Sequence, residues 1–307
     1  FITLFKPLSY EGFFYFWLMN KVIYFITILI ISGCSIDTNP IKSSIRKDKF
    51  LKEVSKNKKE YEIQVLLTKI DQNNGELKFR TFEYQLDDDQ YFYPASTNKL
   101  PIVILALKKI NDLRSKGSDI TLKSKINLNF KHKDPLLDVK DSITSFQNLI
   151  ADVFLISDNS ASNILIDFIG YNYFNLEMKK AGFDKTYLNH KFNPDPYVNN
   201  NWQISDLDNN IISSDNDMQT IIRSNDKTKG LYKGEKRFHD GDVLNEPLNF
   251  SEKNRSSLTD MHNLIKSIFY PSIYDRDNYF NLTVEDYDFL RYWMSRFTYE
   301  DLGERFI

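Results

Sequence analysis

Apolar and polar positions along this chain fall into blocks of changing period. Val22 to Ile31 is continuously apolar. Ser35 to Lys59 is polar and lysine-rich with no clear apolar period. Tyr61 to Ile70 then alternates, with Ile63, Val65 and Leu67 on one face. A period of two is the mark of a half-buried strand. Asn73-Asn74-Gly75 supplies a hairpin turn, and Glu76 to Gln85 the return strand. Beyond it the period becomes helical. Leu100 to Leu113 is strongly apolar and predicts a helix buried in the middle of the fold. Ser118 to Asn129 reads as a short extended piece. Ser145 to Ile156 places Phe146, Leu149, Ile150 and Val153 on one stripe, and a second helix follows from Ser160 to Ile169, stopped by Gly170. Ser257 to Phe269 and Val284 to Phe297 predict two later helices. Asn193 to Ser251 is long, polar and irregular, which suits either a solvated insertion or a loop that shapes a cleft.

Length and composition narrow the function classes. The 307 residues are enough for one large domain or two small ones. Hydrophobic residues make up 41% and charged residues 27%, so a sizeable core can be buried. A formal net charge of -2 argues against a nucleic-acid surface. One cysteine permits no internal disulfide and no cysteine-rich metal cluster. The four histidines have no His-Glu-x-x-His spacing, and there is no Gly-rich phosphate loop. No metal and no organic cofactor is expected.

The amino-terminal blocks read as targeting rather than fold. Residues 1–18 follow no initiator methionine, and Met19 looks like the start, so 1–18 are set aside as upstream translation. Met19-Asn20-Lys21 is a short basic region before the Val22–Ile31 run, which has the length of a signal-peptide core rather than of a membrane span. Ile31-Ser32-Gly33-Cys34 resembles the lipobox of bacterial lipoproteins. That resemblance implies cleavage before Cys34 and lipid on its sulfur; the alternative is an uncleaved anchor. Either way the domain is expected outside the cytoplasm, tethered to a membrane, as a monomer. Residues 35–59 are expected to be a polar linker, and 60–307 the catalytic domain, with the polar insertion at about 193–251.

Candidate chemistry centres on Tyr93-Pro94-Ala95-Ser96-Thr97-Asn98-Lys99-Leu100-Pro101. Three residues on a helix return a side chain to nearly the same face, so a helix opened by Ser96 would set the Lys99 amine beside its hydroxyl. A serine needs a neighbouring base to become a nucleophile, and a desolvated lysine with a lowered pKa can be that base. A surface Ser and a surface Lys near a helix start would satisfy the same spacing. Ser157-Asp158-Asn159, some sixty residues on between two predicted helices, likewise reads as a helix cap or as chemistry.

Taken together, in this order and at this separation, Ser96-x-x-Lys99 and Ser157-Asp158-Asn159 resemble the first two signatures of the class A β-lactamase-like serine hydrolases. The resemblance implies an α/β (α+β) architecture, a mostly antiparallel sheet flanked by helices, with a helical lobe inserted between about residues 97 and 270. It implies Ser96 as acyl-accepting nucleophile, Lys99 as its proton partner and Ser157 as proton relay to the leaving nitrogen. Asn159 would orient substrate and bond near Lys99, and the Ser96 N–H would form half of an oxyanion hole. The substrate would be a small-molecule β-lactam, opened through an acyl-enzyme. The alternatives are a D-Ala-D-Ala peptidase acting on cell-wall peptide, or a surface lipoprotein that keeps the fold without catalysis.

Two departures from the family pattern stand out. Class A enzymes carry a deacylating glutamate on a loop after the second motif. The matching position here falls near Phe192, no Glu occurs between Glu177 and Glu235, and Asp195 is the nearby carboxylate. The family's Lys-Thr/Ser-Gly strand is also unmatched. Lys227-Thr228-Lys229-Gly230 mimics it in a polar segment before the next helix, and Lys229 stands where the glycine should. The third motif and the last strands are therefore expected beyond Ile307.

Overall fold

A computed structural model describes residues 39–130, 143–192, 202–214, 223–225, 227–239, 241–274 and 279–298. The expected leader with its lipobox Cys34, and Asp195, lie outside the described residues. The chain divides into two compact units, 1–85 and 86–307.

In the first unit, β1 (Val65–Asn73) and β2 (Glu76–Tyr84) form the expected antiparallel hairpin. Asn74 and Gly75 turn it with φ of 51° and 85°, the left-handed pair that matches the twist of the strands. Residues expected as a structureless linker are instead largely helical: α1 (Pro40–Lys47), α2 (Lys49–Lys56) and the single turn α3 (Lys58–Tyr61). Their caps explain this. The Asn39 side chain accepts from the N–H groups of Ile41 and Lys42, and Pro40 occupies the first turn, where no N–H is required. Asp48 accepts from Leu51 N–H at 2.8 Å. Asn39 also donates to the Glu83 carbonyl, joining α1 to the hairpin. Each of the two longer helices has only eight residues, a window too short for its apolar positions to stand out among the lysines.

The second unit is built around α4 (Lys99–Ser115), whose Ile102, Val103, Leu105 and Ala106 are fully buried. An apolar helix without a polar face has to be covered on all sides. α5 (Phe146–Ile156) and α6 (Asn159–Ile169) do much of this, and the Phe146 and Phe168 rings meet at 4.5 Å. Ser145 caps α5 by accepting from Asn148 N–H at 3.3 Å. Gly170, at φ 80°, ends α6 and lets α7 (Tyr171–Lys180) turn back onto α4. β3 (Lys125–Phe130) and β4 (Ile143–Ser145) join β5 (Trp202–Ser205) and β6 (Ile211–Ser214) in one antiparallel sheet of order β4-β3-β5-β6.

Parts of the expected insertion are thus ordered into the fold. Ile204 is buried beside β3, and the Ser213 hydroxyl donates to the carbonyl of Asp167 on α6 at 3.1 Å. Two small hairpin ladders follow, β7 (Tyr232–Lys233) with β10 (Leu248–Asn249), and β8 (Arg237–His239) with β9 (Asp242–Leu244). Last come α8 (Leu258–Phe269), α9 (Pro271–Tyr274) and α10 (Val284–Met294). Every ladder between described strands is antiparallel, as expected. Among the described residues no helix is long and apolar enough to cross a membrane.

Asp260, near the start of α8, accepts from Thr186 Oγ1 at 2.9 Å and from Lys185 N–H at 3.0 Å. Burial pushes its carboxyl up to about 6, with Asp184 and Asp88 acting in the same direction. A folded value above the ordinary one of about 3.9 means that the folded state binds the proton more tightly. The resulting stabilisation is complete below about pH 4 and is lost as the pH rises through about 6. Asp260→Asn should therefore raise stability at neutral pH and lose that advantage in acid, as read by urea unfolding at the two pH values.

Candidate functional site

The site begins with a strained turn. Ala95 holds φ 45°, a left-handed conformation that costs energy in any residue with a Cβ. It leads into a 3-10 turn, Ala95–Asn98, that runs directly into α4. Ser96 therefore lies one step before the α-helix rather than opening it. The 3-10 geometry still brings residues three apart into eclipse, so Ser96 and Lys99 share a side. Ser96 is exposed, and among the described residues its hydroxyl has no hydrogen-bond partner; the expected contact with Lys99 is absent. Thr97 N–H is taken by the Pro94 carbonyl at 2.9 Å, whereas no backbone carbonyl among the described residues takes Ser96 N–H.

Lys99 is only 3% exposed. Its Nζ reaches across to the turn between α5 and α6 and meets three oxygens there. It bonds the Ser157 carbonyl, Ser157 Oγ at 3.1 Å and Asn159 Oδ1 at 2.7 Å. The ring of Phe192 lies over it at 5.1 Å. Burial pushes the Lys99 amine below its ordinary value, and the negative charge of Asp158 partly opposes that.

The tripeptide is a cap and a ligand set at once. Ser157 closes α5 in the left-handed conformation, φ 55° and ψ 41°. That reversal lets Asp158 cap α6 by accepting from Ala161 N–H at 2.6 Å. With the carboxylate so engaged, the residues on either side of it face Lys99.

A third segment was marked in the sequence only by the resemblance, as the place near Phe192 where the family's glutamate is missing. Residues 187–192 run in an extended stretch held by side-chain amides. Leu188 exchanges two hydrogen bonds with Asn175, both at 2.9 Å, and Phe192 exchanges two with Asn163, also at 2.9 Å. Asn254 Oδ1 accepts from Asn189 N–H and His190 N–H at 2.7 and 3.0 Å. Lys191 is buried in an ion pair with Asp167 at 2.5 Å. The signal available in the sequence was Asn163, four residues after Asn159 and so on the same helical face.

The near-match Lys227-Thr228-Lys229-Gly230 has other partners. Thr228 is buried and accepts from Arg255 at 2.9 Å, Lys229 pairs with Asp87 at 3.0 Å, and Gly230 packs against Gln90. Among the described residues no group of three or more His, Cys, Asp or Glu side chains could hold a metal ion.

Comparison with known proteins identifies the family. Residues 46–278 match a family model described as the Beta-lactamase enzyme family. No curated protein matches the chain. Similar solved structures include the chromosome-encoded beta-lactamase of Vibrio parahaemolyticus, 15% identical over 81% of this chain and 71% of that one, with a TM-score of 0.45. A double mutant of the same enzyme is 16% identical over 72% and 63%, with a TM-score of 0.42. A beta lactamase from Xanthomonas campestris is 14% identical over 78% and 64%, with a TM-score of 0.41. The chain thus spans less than two thirds of the length of two of these three.

Asp158→Asn should keep the α6 cap, since Asn also caps well, while removing the charge that favours the ammonium. The Lys99 titration midpoint, followed by side-chain NMR, should move further down; an unchanged or higher midpoint would contradict the electrostatic role given to Asp158.

Proposed function

The chain belongs to the Beta-lactamase enzyme family, and from that premise we propose that it is a serine hydrolase that takes the acyl group of a β-lactam amide onto Ser96. The observation that carries this reading is the buried Lys99 amine held by Ser157 and Asn159. As an ammonium, Nζ has three N–H donors for its three oxygen neighbours. As a neutral amine, it has two donors for the two carbonyl oxygens and a lone pair for the Ser157 hydroxyl proton. The same partners satisfy both states, so Lys99 can gain or lose a proton while keeping them.

The steps follow from that property. Ser96 Oγ adds to the amide carbon as its proton passes to Lys99. The developing oxyanion is met by the Ser96 N–H, a donor that no backbone carbonyl among the described residues competes for. The C–N bond then breaks, and the proton moves from Lys99 through Ser157 to the leaving nitrogen. The acyl group stays on Ser96 as an ester. Asn159 holds the amine in place and offers its remaining N–H groups to substrate. The second reading, a peptidase acting on D-Ala-D-Ala cell-wall peptide, is favoured by one feature: an aromatic ring, not a carboxylate, lies against Lys99.

The membrane tether belongs to the same proposal. With lipid on the Cys34 sulfur the domain would work outside the cytoplasm, where cell-wall peptide and β-lactams are met. Labelled fatty acid should be incorporated in cells, and Cys34→Ala should abolish the label.

Intact-mass measurement after mixing with a penicillin should show an adduct equal to the whole penicillin, because the opened ring stays attached. Ser96→Ala should remove the adduct, and Lys99→Ala should slow its formation by at least about a hundredfold, the usual scale of a lost general base. An adduct that survives Ser96→Ala would overturn the assignment of the nucleophile.

A further inference from the structure

We propose that Phe192 is a positioning residue that keeps hydrolytic water away from the acylated Ser96, so that the acyl-enzyme accumulates instead of turning over. The inference rests on the acyl-transfer reading given above and concerns the fate of its ester.

The geometry that supports it is specific to this chain. Phe192 is 6% exposed, and its ring lies 5.1 Å from the Lys99 amine that the three oxygens bond. Its backbone is pinned by the reciprocal pair of hydrogen bonds to Asn163. Asn163 stands one helical turn after Asn159 on α6, so the helix that binds the amine also fixes the ring over it. The two hydrogen bonds hold the backbone that carries the ring, burial restricts the ring's own rotation, and an apolar ring offers water no hydrogen-bonding partner.

Ester hydrolysis also needs a base to activate the water. The titratable groups on the neighbouring segments are engaged as follows, with His190 Nε2 buried and unpartnered among the described residues. Asp158, from the turn before α6, caps that helix. From the 187–192 segment, His190 bonds the Lys191 carbonyl through Nδ1 and lies against the Tyr93 ring at 6.1 Å, and Lys191 pairs with Asp167 on α6. Lys99 is the base that bonds the relay hydroxyl among the described residues, and an apolar ring lies against it. Acylation avoids this obstacle because its proton comes from Ser96 itself. Deacylation would have to add water to the ester carbon, break the ester C–O bond and return a proton to Oγ.

A penicillin-labelled sample, freed of excess penicillin, is followed by intact mass over time for the wild type, Phe192→Ala and Phe192→Leu. The pH dependence of the labelling rate is measured in parallel. The wild-type adduct should persist. Phe192→Ala should lose it faster by about tenfold or more, and its labelling profile should shift to higher pH as the amine is rehydrated. Phe192→Leu keeps an apolar cover and should stay close to wild type in both. A wild-type adduct that decays within a few turnovers overturns this inference alone, as does Phe192→Ala with unchanged lifetime and pH profile. No adduct under any condition overturns the acyl-transfer reading and this inference with it.

Discussion

A lysine amine nine-tenths or more removed from water is the constraint around which the second unit is arranged. Burying an ammonium is costly unless it is hydrogen-bonded. Lys99 meets that condition with three oxygens from one turn, none of them a carboxylate. Neutral acceptors satisfy its protons without clamping its charge. An Asp or Glu in direct contact would hold the proton on; with carbonyl and hydroxyl oxygens there instead, burial keeps the amine below its ordinary value. The fold thereby keeps a base inside an apolar helix bundle.

This arrangement requires two kinks that a chain does not adopt freely. Ala95 and Ser157 both take left-handed backbone angles with a Cβ in place. One sets Ser96 at the start of the 3-10 turn, and the other reverses the chain so that Ser157 and Asn159 flank a capping Asp158. Each kink is imposed by its surroundings, the first by the buried α4 and the second by two helices joined through a turn with hardly a residue to spare. Strain of this kind persists only where packing over-determines the backbone.

Asparagine side chains do much of the remaining work. A carboxamide offers one acceptor and two donors, so it can pair with a peptide group as a neighbouring strand would. Asn163, Asn175 and Asn254 each bond the backbone of the 187–192 segment in this way. Together with one antiparallel bridge from Tyr187 to Arg255, they hold the segment that carries Phe192 to Lys99.

Local patterning determined a good deal of this protein. The hairpin, the apolar α4, the paired helices around Ser157-Asp158-Asn159 and the two late helices all rest on short-range periodicity and capping, which residue order carries directly. The convergence of Lys99 with Ser157 and Asn159 was legible only through the family resemblance that the two motifs carry. Tertiary structure alone decided the rest. It turned the Lys99 amine toward the second motif and left the Ser96 hydroxyl without a partner. It ordered 202–214 into a sheet and engaged Thr228 and Lys229 in contacts away from Lys99. It also placed Phe192 over the amine. These outcomes depend on which side chains meet across dozens of residues, and no period or local propensity encodes such a meeting.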